Sequence, residues 1–213
     1  MPTQAAHPGR IIETPAPQGP VAAARAGAIV IARHGEPALS RKVRLSAEEY
    51  RHWWARYEIG GILEGQSPPD HLKAAAGKAA TIISSTRRRS IETARLLAGA
   101  REFDTDERLI EAPLPPPPWP DWIKLSPRVW GVISRIWWWL GQHGCEESRG
   151  QARKRAAEVA RTLDELARRG EDVVVTAHGY FNAMIGSQLR RLGWRCVKGR
   201  GYKYWSTRYF RKA

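Results

Sequence analysis

Two stretches far apart in the chain have the same form: a short apolar run that ends in a histidine and a glycine. The first is residues 29–36, Ile-Val-Ile-Ala-Arg-His-Gly-Glu, and the second is residues 172–179, Asp-Val-Val-Val-Thr-Ala-His-Gly. Runs this short, rich in β-branched residues and ending abruptly, predict buried strands. Because open α/β sheets bind ligands at the carboxyl ends of their strands, we expect His34 and His178 to lie side by side at one sheet edge.

Helical patterns separate the predicted strands. A third apolar run, residues 80–85, is followed by Arg87-Arg88-Arg89 and then by a helix. Further helices are predicted to begin near residues 46, 70, 130, 146 and 181. This alternation predicts the α/β class, a three-layer α/β/α sandwich with a mostly parallel central sheet. The aromatic and basic residues of 194–211 alternate, which predicts a terminal pair of strands.

The length of 213 residues suits one domain with a large core. Residues 1–27 are rich in Pro, Ala and Gly and predict an N-terminal tail, flexible or packed on the domain, while residues 28–213 form that domain. Charges and prolines interrupt any apolar core of a signal peptide, and no apolar run is long enough to cross a membrane. The cysteines, Cys145 and Cys196, are far apart, which favours a reducing compartment. A cytoplasmic location is therefore expected.

The chain is strongly basic. Its formal charge is +14 and its pI is near 10.4. An excess of this size favours anionic partners such as phosphate esters, nucleic acid or an acidic membrane surface. Charge alone does not choose among these three classes.

Four segments, taken in order, resemble the sequence boxes of the histidine phosphatase superfamily, the clan of phosphoglycerate mutase-like enzymes and histidine acid phosphatases. The first is Arg33-His34-Gly35-Glu36. The second is residues 84–94, in which Arg89 precedes a Thr-Ala pair by four residues. Glu111 lies where the family often keeps an acidic proton donor, and residues 176–179, Thr-Ala-His-Gly, resemble the second histidine box.

The resemblance implies a hydrolase, a phosphatase that splits phosphomonoesters through a phosphohistidine intermediate without a metal ion or another cofactor. In that chemistry His34 is the nucleophile, Glu111 the proton donor, and His178 a further catalytic residue. Arg33, Arg89 and His178 bind the phosphate, since fixed positive charge stabilises phosphoryl transfer. Small phosphorylated compounds are the expected substrates.

Two departures from the family pattern narrow this expectation. Pro37 stands where many members have Thr or Ser, and Ala112-Pro113-Leu114-Pro115 replaces the Gly-rich continuation of the mutases. Hydrolysis is therefore favoured over phosphoglycerate mutase activity.

The rival interpretation is a catalytically inert module that binds a phosphorylated partner, a membrane surface or nucleic acid. Other carboxylates near Glu111 are alternative proton donors: Asp104, Asp106 and Glu107.

A Trp/Pro-rich segment lies between Glu111 and the second histidine strand. In the resembling family this region commonly forms a lid over the pocket, so a lid insertion that selects an apolar or aromatic leaving group is expected. Consecutive residues of a helix point in different directions. At least one of its tryptophans is thus expected to face solvent, a partner or an anionic membrane. The segment's tryptophans are Trp119, Trp122, Trp130, Trp137, Trp138 and Trp139.

The C-terminal residues 190–212 mix arginines and lysines with aromatic residues. Such a mixture also holds single-stranded nucleic acid. An edge strand with its basic side chains outward is favoured over that alternative, because outward cations discourage edge pairing.

Overall fold

The computed structural model describes residues 25–144, 146–199 and 201–213. Most of the predicted tail and Cys145 lie outside these ranges. The division into a tail and one domain therefore stays a prediction.

The described residues contain a single six-stranded sheet with the strand order β3-β2-β4-β1-β6-β5. The strands β1 to β4 run parallel to one another, whereas β6 is antiparallel to β1 and β5 is antiparallel to β6. The mostly parallel sheet and the terminal strand pair are thus confirmed. The strands are β1 Ile29–Arg33, β2 Thr81–Ser85, β3 Asp104–Asp106, β4 Val173–Ala177, β5 Trp194–Lys198 and β6 Thr207–Lys212.

Helices pack on both faces of the sheet because alternate residues of a strand point to opposite faces. Ile29 and Ile31 of β1 join one core cluster, beneath the helices α5 and α6, and Val30 joins the other, beneath α2 and α3. This arrangement confirms the three-layer α/β/α fold. The helices are α1 Ala47–Ile59, α2 Asp70–Lys78, α3 Arg88–Ala98, α4 Pro127–Trp139, α5 Arg149–Arg168 and α6 Gly179–Arg191.

Local sequence signals set the helix starts. Ser46 and Glu49 form a capping box at α1, as the sequence predicts. Helix α4 begins at Pro127, three residues before its predicted start, because the Ser126 side chain accepts a hydrogen bond from the Val129 amide. Proline is also well suited to the first position of a helix.

Helices α1 and α4 form a separate aromatic cluster beside the sheet's carboxyl edge. Tyr50 stacks between Trp53 and Trp130, with ring centroids 5.9 Å apart in each pair. Among the three consecutive tryptophans of α4, Trp138 is buried and Trp139 is exposed. None of the described helices combines the length and the apolar composition needed to cross a bilayer.

Candidate active site

The two histidines lie next to each other at the carboxyl edge of the sheet. Strands β1 and β4 are paired in a register that sets Arg33 opposite Ala177, so the next residue of each strand is a histidine. The ring centroids of His34 and His178 are 5.3 Å apart, and each residue is only 1% exposed. The topology therefore brings together two imidazoles from segments 144 residues apart in the chain.

The hydrogen bonds of His34 determine which ring nitrogen carries the proton. Its Nδ1 lies 2.7 Å from the carbonyl oxygen of Gly35. A carbonyl can only accept, so Nδ1 carries a proton, and in the neutral ring Nε2 is then the nitrogen that keeps its lone pair. The amide of Gly35 donates to Thr93 Oγ1 at 2.9 Å, and a Cβ at Gly35 would lie 2.6 Å from the Trp205 ring. These contacts fix the backbone that orients the imidazole.

His178 is held in the opposite tautomer. An Nη2 of Arg89 lies 3.3 Å from its Nδ1, and Ser85 Oγ lies 3.0 Å from its Nε2. Arginine only donates, so Nδ1 accepts and the proton resides on Nε2, which donates to the serine. The His178 imidazole is therefore neutral in this network.

Burial and positive charge act in the same direction on both rings. Burial lowers the pKa of His34 well below its ordinary value of 6.5, and the guanidinium groups of Arg33 and Arg89 lower it further. Burial is also the main cause of the lowered pKa of His178, followed by Arg89 and His34. The cationic surroundings alone predict the direction of the shift, but the larger cause is loss of hydration.

This shift makes folding stability depend on pH. In the unfolded chain both imidazoles take up protons as the pH falls through about 6.5, while in the folded chain they stay neutral to lower pH. The unfolded state then binds more protons, so the free energy of unfolding is expected to fall by up to about 2.7 kcal/mol per pH unit below that value. Urea unfolding at about pH 7 and about pH 5.5 measures this slope.

Matched variants separate the two buried imidazoles from the rest of the chain. His34→Gln is expected to remove about half of the slope. His52→Gln is the control, because the His52 side chain is 76% exposed. An unchanged slope in the double variant His34→Gln, His178→Gln would contradict the assignment.

Arg89 is a fully buried arginine that joins the histidines to α1. Its Nη1 donates to the Tyr57 carbonyl at 2.8 Å, and its Nη2 donates to Glu58 Oε1 at 2.7 Å. Its Nε is buried and has no hydrogen-bond partner among the residues that the structure describes. An anion in the adjacent space would give that N–H an acceptor.

Arg33 is held by the turn that connects β5 to β6, the strand next to β1. Its Nη1 donates to the Tyr202 carbonyl, and its guanidinium lies 4.5 Å from the centroid of the Tyr204 ring. Its Nε is also buried, without a hydrogen-bond partner in residues 25–144, 146–199 and 201–213. The turn thereby positions the arginine beside His34, whose ring centroid is 5.9 Å from that of Tyr204.

Arg41 joins the site, although the sequence gives no strong reason to select it from a charged loop. Its Nη2 donates to the Tyr57 hydroxyl at 3.0 Å, and its buried Nε has no partner among the described residues. Arg41, Tyr57 and Tyr204 come from three separate segments of the sequence. No local pattern shows that these segments meet.

A cavity of about 110 Å³ opens between these groups. Glu111 is the one carboxylate among its lining residues in the described part of the chain, against four arginines. None of the six tryptophans of the Trp/Pro-rich segment is among the lining residues described; the aromatic wall comes from α1. Trp130 packs against α1 in the aromatic cluster, and Trp138 packs in a separate cluster with Ala112 and Ala152. The lining includes both histidines, Arg33, Arg41, Arg89, Arg128, Tyr50, Trp53, Trp54, Tyr57, Leu114 and Pro127.

Glu111 approaches the cavity at the N-terminus of α6. Its Oε1 accepts hydrogen bonds from the amides of Ala112 and Phe181 at 3.0 Å each, and its Oε2 accepts one from the Tyr180 amide at 3.2 Å. A carboxylate offers about four acceptor positions, so Oε2 retains one. The alternative acids lie elsewhere: Asp106 is paired with Arg108, and Asp104, Asp106 and Glu107 do not line the cavity. Among the described residues, no cluster of three or more His, Cys, Asp or Glu side chains is arranged to hold a metal ion.

Comparison with known proteins assigns the family. The sequence model of the histidine phosphatase superfamily, branch 1, matches residues 29–197. The chain belongs to the histidine phosphatase superfamily. That match includes all four boxes. A search of curated proteins finds no match.

Solved structures of histidine phosphatases have a similar fold. A phosphoserine phosphatase mutant from Entamoeba histolytica, in complex with phosphoserine, is 18% identical, with a TM-score of 0.50 over 78% of this chain and 80% of that chain. A mycobacterial glucosyl-3-phosphoglycerate phosphatase is 22% identical, with a TM-score of 0.48 over 78% of this chain and 81% of that one. At 18% identity the likeness to the first of these structures is one of fold.

Proposed function

We propose that this histidine phosphatase superfamily member hydrolyses small phosphomonoesters through a phosphohistidine on His34. The observation that carries the proposal is the fixed tautomer of His34: its Nδ1 is held by Gly35, and its unprotonated Nε2 belongs to a buried ring that lines an arginine-rich cavity. A lone pair held ready beside fixed positive charge is what an attack on an anionic phosphoryl group requires.

In the first step the Nε2 of His34 attacks phosphorus, and the bond from phosphorus to the ester oxygen breaks. The Nδ1 proton stays on the ring, where the Gly35 carbonyl stabilises the positive charge that the ring gains. Glu111 donates its proton to the departing oxygen through the free position on Oε2. The products are the phosphoimidazole and the released alcohol.

In the second step water attacks the same phosphorus, and the bond from phosphorus to Nε2 breaks. Glu111, now a carboxylate, takes the proton of that water, which returns both residues to their starting forms. Arg33, Arg89 and Arg41 donate to the non-bridging oxygens in both steps, and the Nε groups of all three lack a partner in the described part of the chain. His178 lines the same cavity and is the remaining phosphate-binding residue of the proposal.

The aromatic wall of the cavity favours a leaving group with an apolar or aromatic part. Tyr50, Trp53 and Trp54 lie on α1 and line the cavity. An aromatic leaving group that stacks on these rings would gain more binding energy than a polar sugar would. Simple aryl phosphates are therefore suitable first substrates.

The variant Glu111→Gln tests the chemistry through its dependence on the leaving group. Gln cannot donate a proton to the ester oxygen, so hydrolysis of an alkyl phosphate is expected to fall by about 10² to 10⁴-fold. The leaving group of p-nitrophenyl phosphate needs no proton. Rapid mixing should therefore release one equivalent of p-nitrophenol in a burst, while the phosphohistidine accumulates because the attacking water has lost its base.

Trapping identifies the intermediate. The accumulated species is expected to be an acid-labile phosphoryl group on the peptide that contains His34. Glu107→Gln is the matched control, since Glu107 is exposed and does not line the cavity. The same experiment in EDTA tests the metal-independent form of the proposal. Phosphate binding by the wild type without turnover would favour the inert module instead.

A further inference from the structure

Helix α4 is apolar on both of its faces. Its inner face contributes Trp130 and Trp138 to the interior. Its outer face carries apolar side chains that are between 44% and 70% exposed, and their spacing places them on one side of a helix. This outer stripe, called the α4 stripe below, comprises Val129, Val132, Ile136, Trp139 and Leu140.

Such a stripe is unusual on a protein surface. A surface helix normally turns charged or polar residues to solvent, and contiguous exposed apolar patches mark sites of interaction. Trp122, which precedes the helix in the chain, is 80% exposed as well. At 13 residues α4 is too short to span a bilayer, so it could only lie along a surface.

The charges around the α4 stripe select the partner. Residues 122–145 contain no Asp or Glu. Beside Val129 a depression of about 370 Å³ is lined by Lys42 and Arg44, with no carboxylate among its lining residues. The chain is thus positively charged where the stripe begins.

The other end of the α4 stripe, at Trp139, is also surrounded by positive charge. The indole of Trp139 donates to the Tyr180 hydroxyl at 2.8 Å, and the guanidinium of Arg149 lies 5.5 Å from the Trp139 ring. Tyr180 and Arg149 line a depression of about 440 Å³ with Arg153 and Arg191, again without a carboxylate. Cations therefore bracket the apolar stripe at both ends.

We propose that the α4 stripe docks on an anionic phospholipid bilayer, with its apolar side chains among the acyl chains and the bracketing cations among the headgroups. A helix bound in this way lies about 5–10 Å deep at the boundary between headgroups and acyl chains. Trp139 has the amphipathic ring that favours this depth. A second copy of the chain is a poorer partner, because two chains of charge +14 would bring like charges together.

The test is flotation with vesicles of phosphatidylcholine, alone or mixed with phosphatidylglycerol, at low and high salt. The wild-type chain is expected to float with the phosphatidylglycerol vesicles at low salt and much less with the neutral ones. The double variant Val132→Asp, Ile136→Asp is expected to bind at least about tenfold more weakly. Both positions are exposed, and circular dichroism and thermal unfolding check that the variant folds.

The matched control is Leu96→Asp, which places the same charge on an exposed apolar position of α3. It is expected to bind like the wild type.

Acyl-chain-brominated phosphatidylcholine in the anionic vesicles should quench tryptophan fluorescence less in Trp139→Phe than in the wild type. Equal binding by the wild type and the double variant would overturn the proposal, as would a wild-type chain that ignores anionic vesicles. A dimer in sedimentation that the Asp variants dissociate would make a second copy the occupant.

Discussion

Replacing His34 by Ala is expected to lower the turnover of p-nitrophenyl phosphate at least about a thousandfold. The variant lacks the Nε2 atom that attacks phosphorus, and no other side chain in the cavity offers a neutral imidazole with its lone pair free. His178 cannot substitute, because its Nδ1 accepts from Arg89 and its Nε2 faces Ser85. Steady-state hydrolysis and phosphohistidine trapping measure the two consequences together.

His52→Ala is the control for this experiment. The imidazole of His52 is 76% exposed and pairs with Glu48 on the surface of α1, so its loss should leave turnover within a factor of about two. The arginines remain in His34→Ala, and the variant should still bind inorganic phosphate. Full turnover in His34→Ala would refute the phosphohistidine mechanism, whereas phosphate binding without turnover in the wild type would identify an anion-binding module.

The neighbouring positions of the histidines could be predicted from the sequence, because each follows a short buried strand and parallel strands end at one sheet edge. The sequence does not give the strand order, and it does not reveal the register that places Arg33 opposite Ala177. Register follows from how both faces of the sheet pack, which involves all the helices at once.

The rest of the cavity depends on segments that carry no local signal. Tyr57 belongs to an amphipathic helix, Tyr204 to a turn, and Arg41 to a charged loop, and each has an ordinary structural explanation in the sequence. They meet only because α1 and the turn between β5 and β6 close over the same sheet edge. The sequence predicts that the aromatic residues at the pocket come from the Trp/Pro-rich segment, whereas the structure supplies them from α1. Composition indicates aromatic content but not which helix faces the cavity. That this segment acts as a lid stays a prediction.

Arg89→Met is expected to lower the free energy of unfolding by about 3 kcal/mol and turnover by at least about a hundredfold. The guanidinium is fully buried and ties α3 to the end of α1 through the Tyr57 carbonyl and the Glu58 carboxylate. Met fills much of the same volume but leaves those oxygens without their donor. Denaturant unfolding and steady-state hydrolysis measure the two effects separately.

The neighbouring variant Arg88→Met is the control for stability. The Arg88 side chain is 71% exposed and pairs with Glu92 on the surface of α3, so its loss should cost no more than about 0.5 kcal/mol. A cost as large as that of Arg89→Met would contradict the assigned role of the buried network.

Adding Glu58→Gln to Arg89→Met separates the structural and catalytic roles of the arginine. In the single variant the Glu58 carboxylate loses one of its two cations and keeps Arg87, 2.7 Å away. Neutralising it should recover part of the lost stability, since the partly buried carboxylate is left with one cation where the wild type has two. Turnover should not recover, because the phosphoryl group still lacks the guanidinium that faces it. Recovery of both quantities together would mean that Arg89 acts only as a structural cation.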